Sequence, residues 1–396
     1  MKQTFDYYMP TKIIFGPGRL NELEKKANIP GKKALIVISA GGSMKKYGYL
    51  DRVINALKIN DIDSVVYDKI QPNPISDHVD EGGKVARDEG CDFVIGLGGG
   101  SSMDSAKSIA IMAKNPGVYW DYINGGSGGG QPPKEGALPI ICITTTAGTG
   151  TEADPWTVIT KEETQEKIGW GCDHTFPKMS IVDPELMVSI PPVYTAYQGM
   201  DAFFHAAEGY LANVNQPASD LHCLSAISLI AKNLPIAVED GSNIDARGKV
   251  AWANTQSGIV ESLSCVISHH SLEHAISAIF PDIPHGAGLV STSVAYFTAL
   301  AKKSPERFPE MAEAMGEDLT GLNAEEKALA FVTALEKLIA ACNLQELRLS
   351  DFGVKKADAK NIVDNAYENM GFLFTLDPVK FEAEEMVSII EACCEN

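Results

Sequence analysis

The strongest constraint on the fold is an alternation of short apolar runs with amphipathic stretches in the first part of the chain. The runs KALIVIS (33–39), DSVVYD (63–68) and DFVIGLGGG (92–100) are each followed by a segment with helical periodicity. Continuous Val, Ile and Leu runs indicate strands buried on both faces, and helical connections between them indicate a parallel sheet. We therefore expect an α/β domain, with one more strand at LPIICITTT (138–146).

The periodicity changes near residue 192. AYQGMDAFFHAAEGYLANV (196–214) and AEEKALAFVTALEKLIAACN (324–343) repeat apolar residues at three- and four-residue spacing, as helices do. The sequence thus predicts an α/β domain over residues 1–190 and an all-helical domain over residues 191–396, with Pro191 and Pro192 at the hinge.

Composition excludes several classes of partner. The chain has 396 residues and a net charge of −19, which repels nucleic acid and anionic membranes. Its start lacks the features of a signal peptide, and no stretch reaches the roughly 18 uninterrupted apolar residues of a membrane helix, so we expect a cytoplasmic protein. The eight cysteines form no CxxC pair, which predicts buried free thiols.

Two glycine-containing turns follow predicted strands. In GGGSSMDSAK (98–107), the sequence predicts a helix capped by Ser101 or Ser102, whose free N–H groups suit a phosphate. TTTAGTGTEAD (144–154) would lie at the same carboxyl edge of the sheet, where open α/β sheets bind ligands. Together the turns favour a dinucleotide; the alternative is two tight turns with nothing bound.

The end of the first long strand bears on the choice of cofactor. KALIVISAGGSMKK (33–46) has no Asp or Glu there to bind a ribose 2′-hydroxyl, and instead offers Ser43, Lys45 and Lys46. This favours the 2′-phosphate of NADP(H) over NAD(H). A solvated turn with two surface lysines is the alternative.

Histidines and one aspartate suggest a metal site. Asp201 and His205 stand four residues apart, as do His270 and His274, and His285 follows. Each pair would lie on one helix face, and a carboxylate with several imidazoles suits Fe²⁺ or Zn²⁺. An Asp201 paired only with His205 is the alternative, and spacing leaves open which histidines bind. The other four are expected to be structural or exposed: His78, His174, His222 and His269.

Four ordered motifs resemble the iron-dependent (group III) alcohol dehydrogenase family: GGGSSMDSAK, TTTAGTGTEAD, GMDAFFHAAEGY and HSLEHAISAIFPDIPHGAG. Within this family the chain most resembles the branch of butanol and 1,3-propanediol dehydrogenases and NADP-dependent aldehyde reductases, and SAGGSMKK resembles the turn of its NADP-using members. The resemblance implies a dinucleotide-binding domain like that of dehydroquinate synthase, a helical metal- and substrate-binding domain, and an active site in the cleft between them. The implied metal ligands are Asp201, His205, His270 and His285. Besides Ser43, the implied cofactor contacts are Asn73, Gly99, Gly100, Ser101, Ser102, Thr145, Thr149 and Lys167.

The implied activity is hydride transfer between a small primary alcohol, or its aldehyde, and a nicotinamide cofactor, in a homodimer or larger homo-oligomer. Fe²⁺, or Zn²⁺ as the alternative, would act as a Lewis acid on the substrate oxygen. His274 would be a catalytic pocket residue that either carries the alcohol proton or packs against the cofactor. Alternatives are a lyase or cyclase, a polyol (glycerol-type) dehydrogenase, and a non-enzymatic binding module; Phe203, Phe204 and the few basic residues near the histidines favour a small, weakly polar substrate.

Overall fold

The computed structural model describes residues 4–394, and by internal contacts the chain divides into two compact units. One unit spans Met9–Ser189. The other contains the chain from Ile190 onward, together with the residues that precede Met9. The first is an α/β unit built on a parallel sheet and the second is helical, which confirms the predicted fold class.

The α/β unit contains a six-stranded parallel sheet and a separate antiparallel hairpin. The strands are β1 (Lys12–Phe15), β2 (Lys33–Ser39), β3 (Asp63–Ile70), β4 (Phe93–Gly98), β5 (Ile140–Thr144), β6 (Thr157–Lys161), β7 (Glu166–Trp170) and β8 (Met179–Val182). The sheet order is β1-β8-β5-β4-β2-β3, and β6 pairs with β7 in the hairpin. Because all sheet strands are parallel, the segments that follow β2, β3, β4 and β5 leave the sheet at one carboxyl edge.

Four α-helices belong to this unit: α1 (Ser43–Lys46), α2 (Tyr49–Lys58), α3 (Ser76–Asp88) and α4 (Gly100–Met112). Strands β4 and β5 are buried along their whole length, as the continuous apolar runs predict. Helix α4 packs closely on β4, and a Cβ atom at Gly96 would lie only 2.9 Å from the Cα atom of Met103. Glycine at this position therefore allows the helix to approach the strand.

The helical unit is formed by α5 (Pro192–Leu211), α6 (Pro217–Glu239), α7 (Ile244–Leu263), α8 (Ser268–Ile279), α9 (His285–Lys303), α10 (Phe308–Met315), α11 (Ala324–Ala341), α12 (Ala359–Met370) and α13 (Ala383–Cys393). Proline at the first position of α5 suits a helix start, because its missing N–H would have no helical acceptor there. Helix α6 is long and apolar enough to cross a membrane by length and composition alone. It packs against α5 and α7 within the helical unit.

Candidate metal and cofactor sites

Asp201 lies among three imidazoles in the helical unit. Its Oδ1 atom is 3.6 Å from Nε2 of His205, 3.6 Å from Nε2 of His270 and 3.5 Å from Nε2 of His285. The ligand atoms of Asp201, His270 and His285 all lie within 4.8 Å of one another. The structure thus brings together the four residues that the family resemblance implies as metal ligands.

Three helices position these side chains. Asp201 and His205 lie one turn apart on α5, His270 lies in the first turn of α8, and His285 is the first residue of α9. Immediately after it, a Cβ atom at Gly286 would lie 2.2 Å from the carbonyl oxygen of Tyr197 on α5. The missing side chain therefore lets the start of α9 reach the backbone of α5.

The arrangement fits a divalent cation. Asp201 Oδ1 and His270 Nε2 are buried and have no hydrogen-bond partner within residues 4–394. Separations of 3.5–3.6 Å exceed the normal length of a hydrogen bond. Two atoms that bind one ion at about 2.1 Å, however, lie roughly 3.4 Å apart when the angle at the ion is tetrahedral. The measured spacing therefore fits atoms that bind one shared cation.

Burial and mutual charge control protonation in this cluster. Burial lowers the pKa of His205 to about 4, which favours the neutral imidazole that a metal requires. Burial alone would raise the pKa of Asp201, but His205 and His285 lower it below its ordinary value, so Asp201 is ionised. For His270, burial lowers the pKa, but the carboxylate of Glu208 outweighs this and raises it to about 10. A cation at Nε2 would compete with that proton.

Carboxylates on the other ring nitrogens are the part of the site that sequence reasoning missed. Nδ1 of His270 lies 2.7 Å from Oε1 of Glu208. Nδ1 of His285 contacts Oε2 of Glu273, and Nδ1 of His205 lies 3.6 Å from Oε1 of Glu261.

Helix periodicity could have indicated two of these glutamates. Glu208 lies seven residues after Asp201 on the same face of α5, and Glu273 lies three residues after His270 on α8. Glu261 lies on α7, and only the packing of that helix brings it to His205.

Two further histidines surround the cluster. His274 is buried on α8, and its ring centroid lies 5.5 Å from that of His285 and 6.4 Å from that of His270. His269, predicted to be structural or exposed, is fully buried, with Nδ1 2.7 Å from Glu208 Oε1 and Nε2 3.0 Å from Thr292 Oγ1.

The positions of Phe203 and Phe204 do not support the use of these two residues as evidence for a weakly polar substrate. Both are fully buried, and their rings stack on Phe331 and Phe297. Because residues 203 and 204 on α5 face the helical core, they carry no information about the substrate.

The two glycine- and threonine-rich loops are neighbours in the α/β unit. Gly98, the last residue of β4, pairs with Thr144, the last residue of β5. The Thr145 N–H donates to the Gly98 carbonyl at 2.9 Å. Ser43 and Asn73 follow β2 and β3 at the same edge of the sheet.

The start of α4 differs from the prediction. The helix begins at Gly100 with Gly99 as its N-cap and without a side-chain cap, so neither Ser101 nor Ser102 is the capping residue. Gly98, with φ of 148°, turns the chain as soon as the strand ends, and the helix therefore starts before the serines. Its first N–H groups remain suited to an anion.

Threonine side chains fill the space beside these glycines. A Cβ atom at Gly99 would lie 3.0 Å from Thr146 Cγ2, and one at Gly100 would lie 2.5 Å from Thr149 Cγ2. Glycine is therefore required here by packing between the two loops, and the glycine run alone does not indicate a ligand.

The remaining predicted cofactor residues lie near this edge. Lys167 on β7 is buried and donates to Asn73 Oδ1 at 3.2 Å. Ser43 opens the short helix α1, and Lys45 of that helix forms an ion pair with Asp68 on β3. No local pattern in the sequence indicated that Asp68 would pair with Lys45, and this pair offsets part of the positive charge that would attract a 2′-phosphate.

A buried network joins α4 to the threonine loop. Lys107 is fully buried, and its Nζ atom donates to Thr151 Oγ1 at 2.5 Å and lies 3.1 Å from Asp154 Oδ1. Thr151 in turn donates to Asp104 on α4 at 2.6 Å, and Asp104 accepts from the N–H of Val158 on β6 at 2.9 Å. The network therefore holds the helix, the loop and the hairpin together.

Two family profiles match the chain over almost its whole length. Residues 10–184 match "Iron-containing alcohol dehydrogenase", and residues 195–394 match "Fe-containing alcohol dehydrogenase family, C-terminal". The chain belongs to the iron-containing alcohol dehydrogenase family. This confirms the resemblance read from the four motifs, and makes the protein an oxidoreductase of the alcohol dehydrogenase type.

Relatives of this iron-containing alcohol dehydrogenase include a 1,3-propanediol dehydrogenase of Klebsiella pneumoniae, which is 35% identical over 97% of both chains. A probable NADH-dependent butanol dehydrogenase of Bacillus subtilis is 32% identical over 93% of this chain and 95% of its own. Among solved structures, an archaeal halo-thermophilic alcohol dehydrogenase from a Red Sea brine pool is similar with a TM-score of 0.94 and 35% identity, over 99% of this chain and 100% of its own.

Proposed function

We propose that the protein is a metal-dependent alcohol dehydrogenase and aldehyde reductase for small primary alcohols. The observation that carries this proposal is the convergence of three imidazole Nε2 atoms on one buried carboxylate oxygen at 3.5–3.6 Å. Membership of the iron-containing family supports a redox reaction on an alcohol. In the oxidative direction the carbinol hydrogen leaves as hydride to C4 of the nicotinamide, the hydroxyl proton passes to water, and the products are aldehyde and reduced cofactor.

Asp201, His205, His270 and His285 would hold the cation, which we propose is Fe²⁺, with Zn²⁺ as the alternative. The bound cation would act as a Lewis acid on the substrate oxygen. Asp201 contributes the one negative charge among these ligands and is held ionised by its imidazole neighbours.

We assign His274 to the substrate side of the cluster. It lies one turn after His270 and beside His285, without being among the imidazoles that contact Asp201. Its two possible contributions are transfer of the hydroxyl proton to water, or packing that orients substrate and nicotinamide. A His274→Phe variant separates them, because only the first contribution depends on a titrating ring.

For the cofactor, we propose a nicotinamide dinucleotide at the carboxyl edge of the sheet. The N–H groups of Gly100 and Ser101 would face its pyrophosphate, whereas the Ser102 N–H already donates to the Gly99 carbonyl at 3.1 Å. Thr145, Thr149, Asn73 and Lys167 supply further hydrogen-bonding groups along the same edge.

The proposed preference is for NADP(H), since Ser43, Lys45 and Lys46 occupy the segment after β2, where no acidic residue follows the strand. The pairing of Lys45 with Asp68 limits this preference. Exposed charge pairs, such as one between these lysines and a 2′-phosphate, contribute about 0–1 kcal/mol. We therefore expect the protein to prefer NADP(H) over NAD(H) by a factor of about ten or less. The Bacillus subtilis relative is named as NADH-dependent, which also argues against a strong preference for NADP(H).

A polyol dehydrogenase is the second candidate, because the Klebsiella relative is a dehydrogenase named for a diol. A lyase or cyclase on the same fold would not consume reduced cofactor.

We further propose that the enzyme is cytoplasmic and that it is a homodimer or larger homo-oligomer. Light scattering of the purified protein would test the oligomeric state.

The test of the function is absorbance at 340 nm with butyraldehyde, and in separate reactions with ethanol, butanol, 1,3-propanediol and glycerol, using both cofactors. The proposal predicts turnover that a chelator abolishes and Fe²⁺ or Zn²⁺ restores. Equal turnover before and after the metal is removed would contradict the metal role. Absence of any redox turnover across the panel would favour the lyase.

A further inference from the structure

Each of the three imidazoles that face Asp201 has a glutamate on its opposite ring nitrogen. Glu208 on α5 serves His270 at 2.7 Å, and Glu273 on α8 contacts His285. Glu261 on α7 lies farther from His205, at 3.6 Å. The side chains of Glu208 and Glu273 are fully buried, whereas that of Glu261 is 11% exposed.

The carboxylate decides which nitrogen of the ring carries the proton. A neutral imidazole has one N–H and one lone pair, and a carboxylate at hydrogen-bond distance stabilises the N–H on its own side. When a cation displaces the Nε2 proton while Nδ1–H stays donated to the glutamate, the free lone pair lies on Nε2, which faces Asp201. The opposite tautomer would place a lone pair against a carboxylate oxygen.

Glu208 is fixed at both of its oxygens. Oε2 accepts from the N–H of Ile267, the N-cap residue of α8, at 2.9 Å. Oε1 lies 2.7 Å from Nδ1 of His270 and 2.7 Å from Nδ1 of His269. The Glu208 carboxylate therefore binds the backbone at the start of α8 and also orients the His270 ring toward Asp201.

We propose that Glu208 and Glu273 are positioning residues that fix His270 and His285 as Nδ1–H tautomers and thereby tighten the binding of a divalent cation at Asp201. Glu261 has the same role toward His205 but contributes less, because its separation exceeds hydrogen-bond length. This inference rests on the proposed metal centre. It goes beyond that centre by assigning metal affinity to residues that do not touch the ion.

The first test measures Zn²⁺ affinity of the full chain by competition with a chromophoric chelator, without substrate or cofactor. Loss of such a hydrogen-bonding partner typically weakens metal binding 10–100-fold, and we expect this for Glu208→Gln and for Glu273→Gln. Glu261→Gln should change the affinity by less than about threefold, since its distance exceeds that of a hydrogen bond.

Asp377→Asn is the matched control. Asp377 is also a buried carboxylate of the helical unit, but it accepts from the Ser268 N–H at 3.1 Å and the Tyr296 hydroxyl at 3.3 Å, and it contacts no imidazole within residues 4–394. We expect its Zn²⁺ affinity to remain near that of the unaltered protein. Equal weakening in Asp377→Asn and Glu208→Gln would overturn the proposal, because it would show a general effect of disturbing α8.

The second test reads the tautomers directly, and does not depend on the folding of any variant. In Zn²⁺-loaded protein labelled with ¹⁵N-histidine, correlation spectra should show protonated Nδ1 and metal-bound Nε2 for His270 and His285. Nδ1 without a proton in both rings would overturn the proposal while leaving the metal centre intact. If the unaltered protein binds no Zn²⁺, the metal centre fails, and this inference fails with it.

Discussion

Replacing Lys107 with methionine should destabilise the α/β unit, and the loss should be larger at high pH than at low pH. Methionine retains much of the volume of the lysine side chain but cannot donate to Thr151, to Asp154 or to the carbonyl of Trp156. Removing one partner of a buried ion pair typically costs about 3–5 kcal/mol. For a unit of the size of Met9–Ser189, this corresponds to a decrease in Tm of roughly 6–20 °C.

The pH dependence follows from the two carboxyls that lose their cation. Burial raises the pKa of Asp104 to about 6 even with Lys107 present, and burial also raises the pKa of Asp154. Without Lys107 both values should rise further. A carboxyl whose pKa is higher in the folded than in the unfolded state takes up a proton on folding, so stability is lost as pH rises from about 4 through the folded pKa. The variant should therefore lose more stability at about pH 8 than at about pH 5.5.

Differential scanning calorimetry at these two pH values measures the effect as the difference in Tm between the variant and the unaltered protein. Lys114→Met is the control, since Lys114 is exposed just beyond the end of α4. A loss in Tm that is equal at both pH values, or no greater than that of the control, would refute the role of Lys107 in neutralising the buried carboxyls.

Three further predictions concern the two sites. Gly286→Ala should weaken Zn²⁺ binding at least about tenfold, because the added Cβ atom pushes α9 and His285 away from Tyr197. Gly371→Ala is the control and should leave the affinity unchanged, since a Cβ atom there meets nothing within 4 Å. Equal Zn²⁺ affinities of the two variants would contradict this packing role. Ser39→Asp should lower the ratio of kcat/KM with NADP⁺ to kcat/KM with NAD⁺ about tenfold or more. The reason is that a carboxylate at the end of β2 repels a 2′-phosphate and can accept a hydrogen bond from a 2′-hydroxyl. An unchanged ratio would show that the adenosine ribose does not lie near Ser39. His274→Phe should lower kcat about 100-fold and remove one ionisation from its pH profile if the ring carries the proton, and unchanged turnover at every pH would exclude that role.

The fold class could be predicted because burial on both faces and helical amphipathicity are local properties of the sequence. The runs at β2 and β4 and the spacing of apolar residues in α5 and α11 each correspond to an element of the structure. The hairpin β6–β7 could not be inferred in this way, since its short, largely polar strands carry no such pattern. The start of α4 was misplaced because the backbone at Gly98, and not a side-chain cap, determines it.

For the candidate metal site, the sequence indicated Asp201 and the histidines, but not the glutamates that contact the opposite nitrogens of the imidazole rings. Asp201 with His205, and His270 with His274, are separated by one helical turn, which is visible in the spacing. Glu261 lies near His205, and Asp68 lies near Lys45, only because separate elements pack together in the fold. No local sequence pattern predicts such contacts. Phe203 and Phe204 lie next to Asp201 and His205 in the sequence, but their side chains are buried in the core and do not report on the substrate.

Anomalous diffraction at the iron and zinc absorption edges, from crystals of anaerobically purified protein, would show whether Asp201, His205, His270 and His285 hold one divalent ion. We expect one strong peak about 2.0–2.2 Å from Asp201 Oδ1 and from the Nε2 atoms of the three histidines. A metal-replete protein whose only anomalous peak lies away from these four atoms would contradict it.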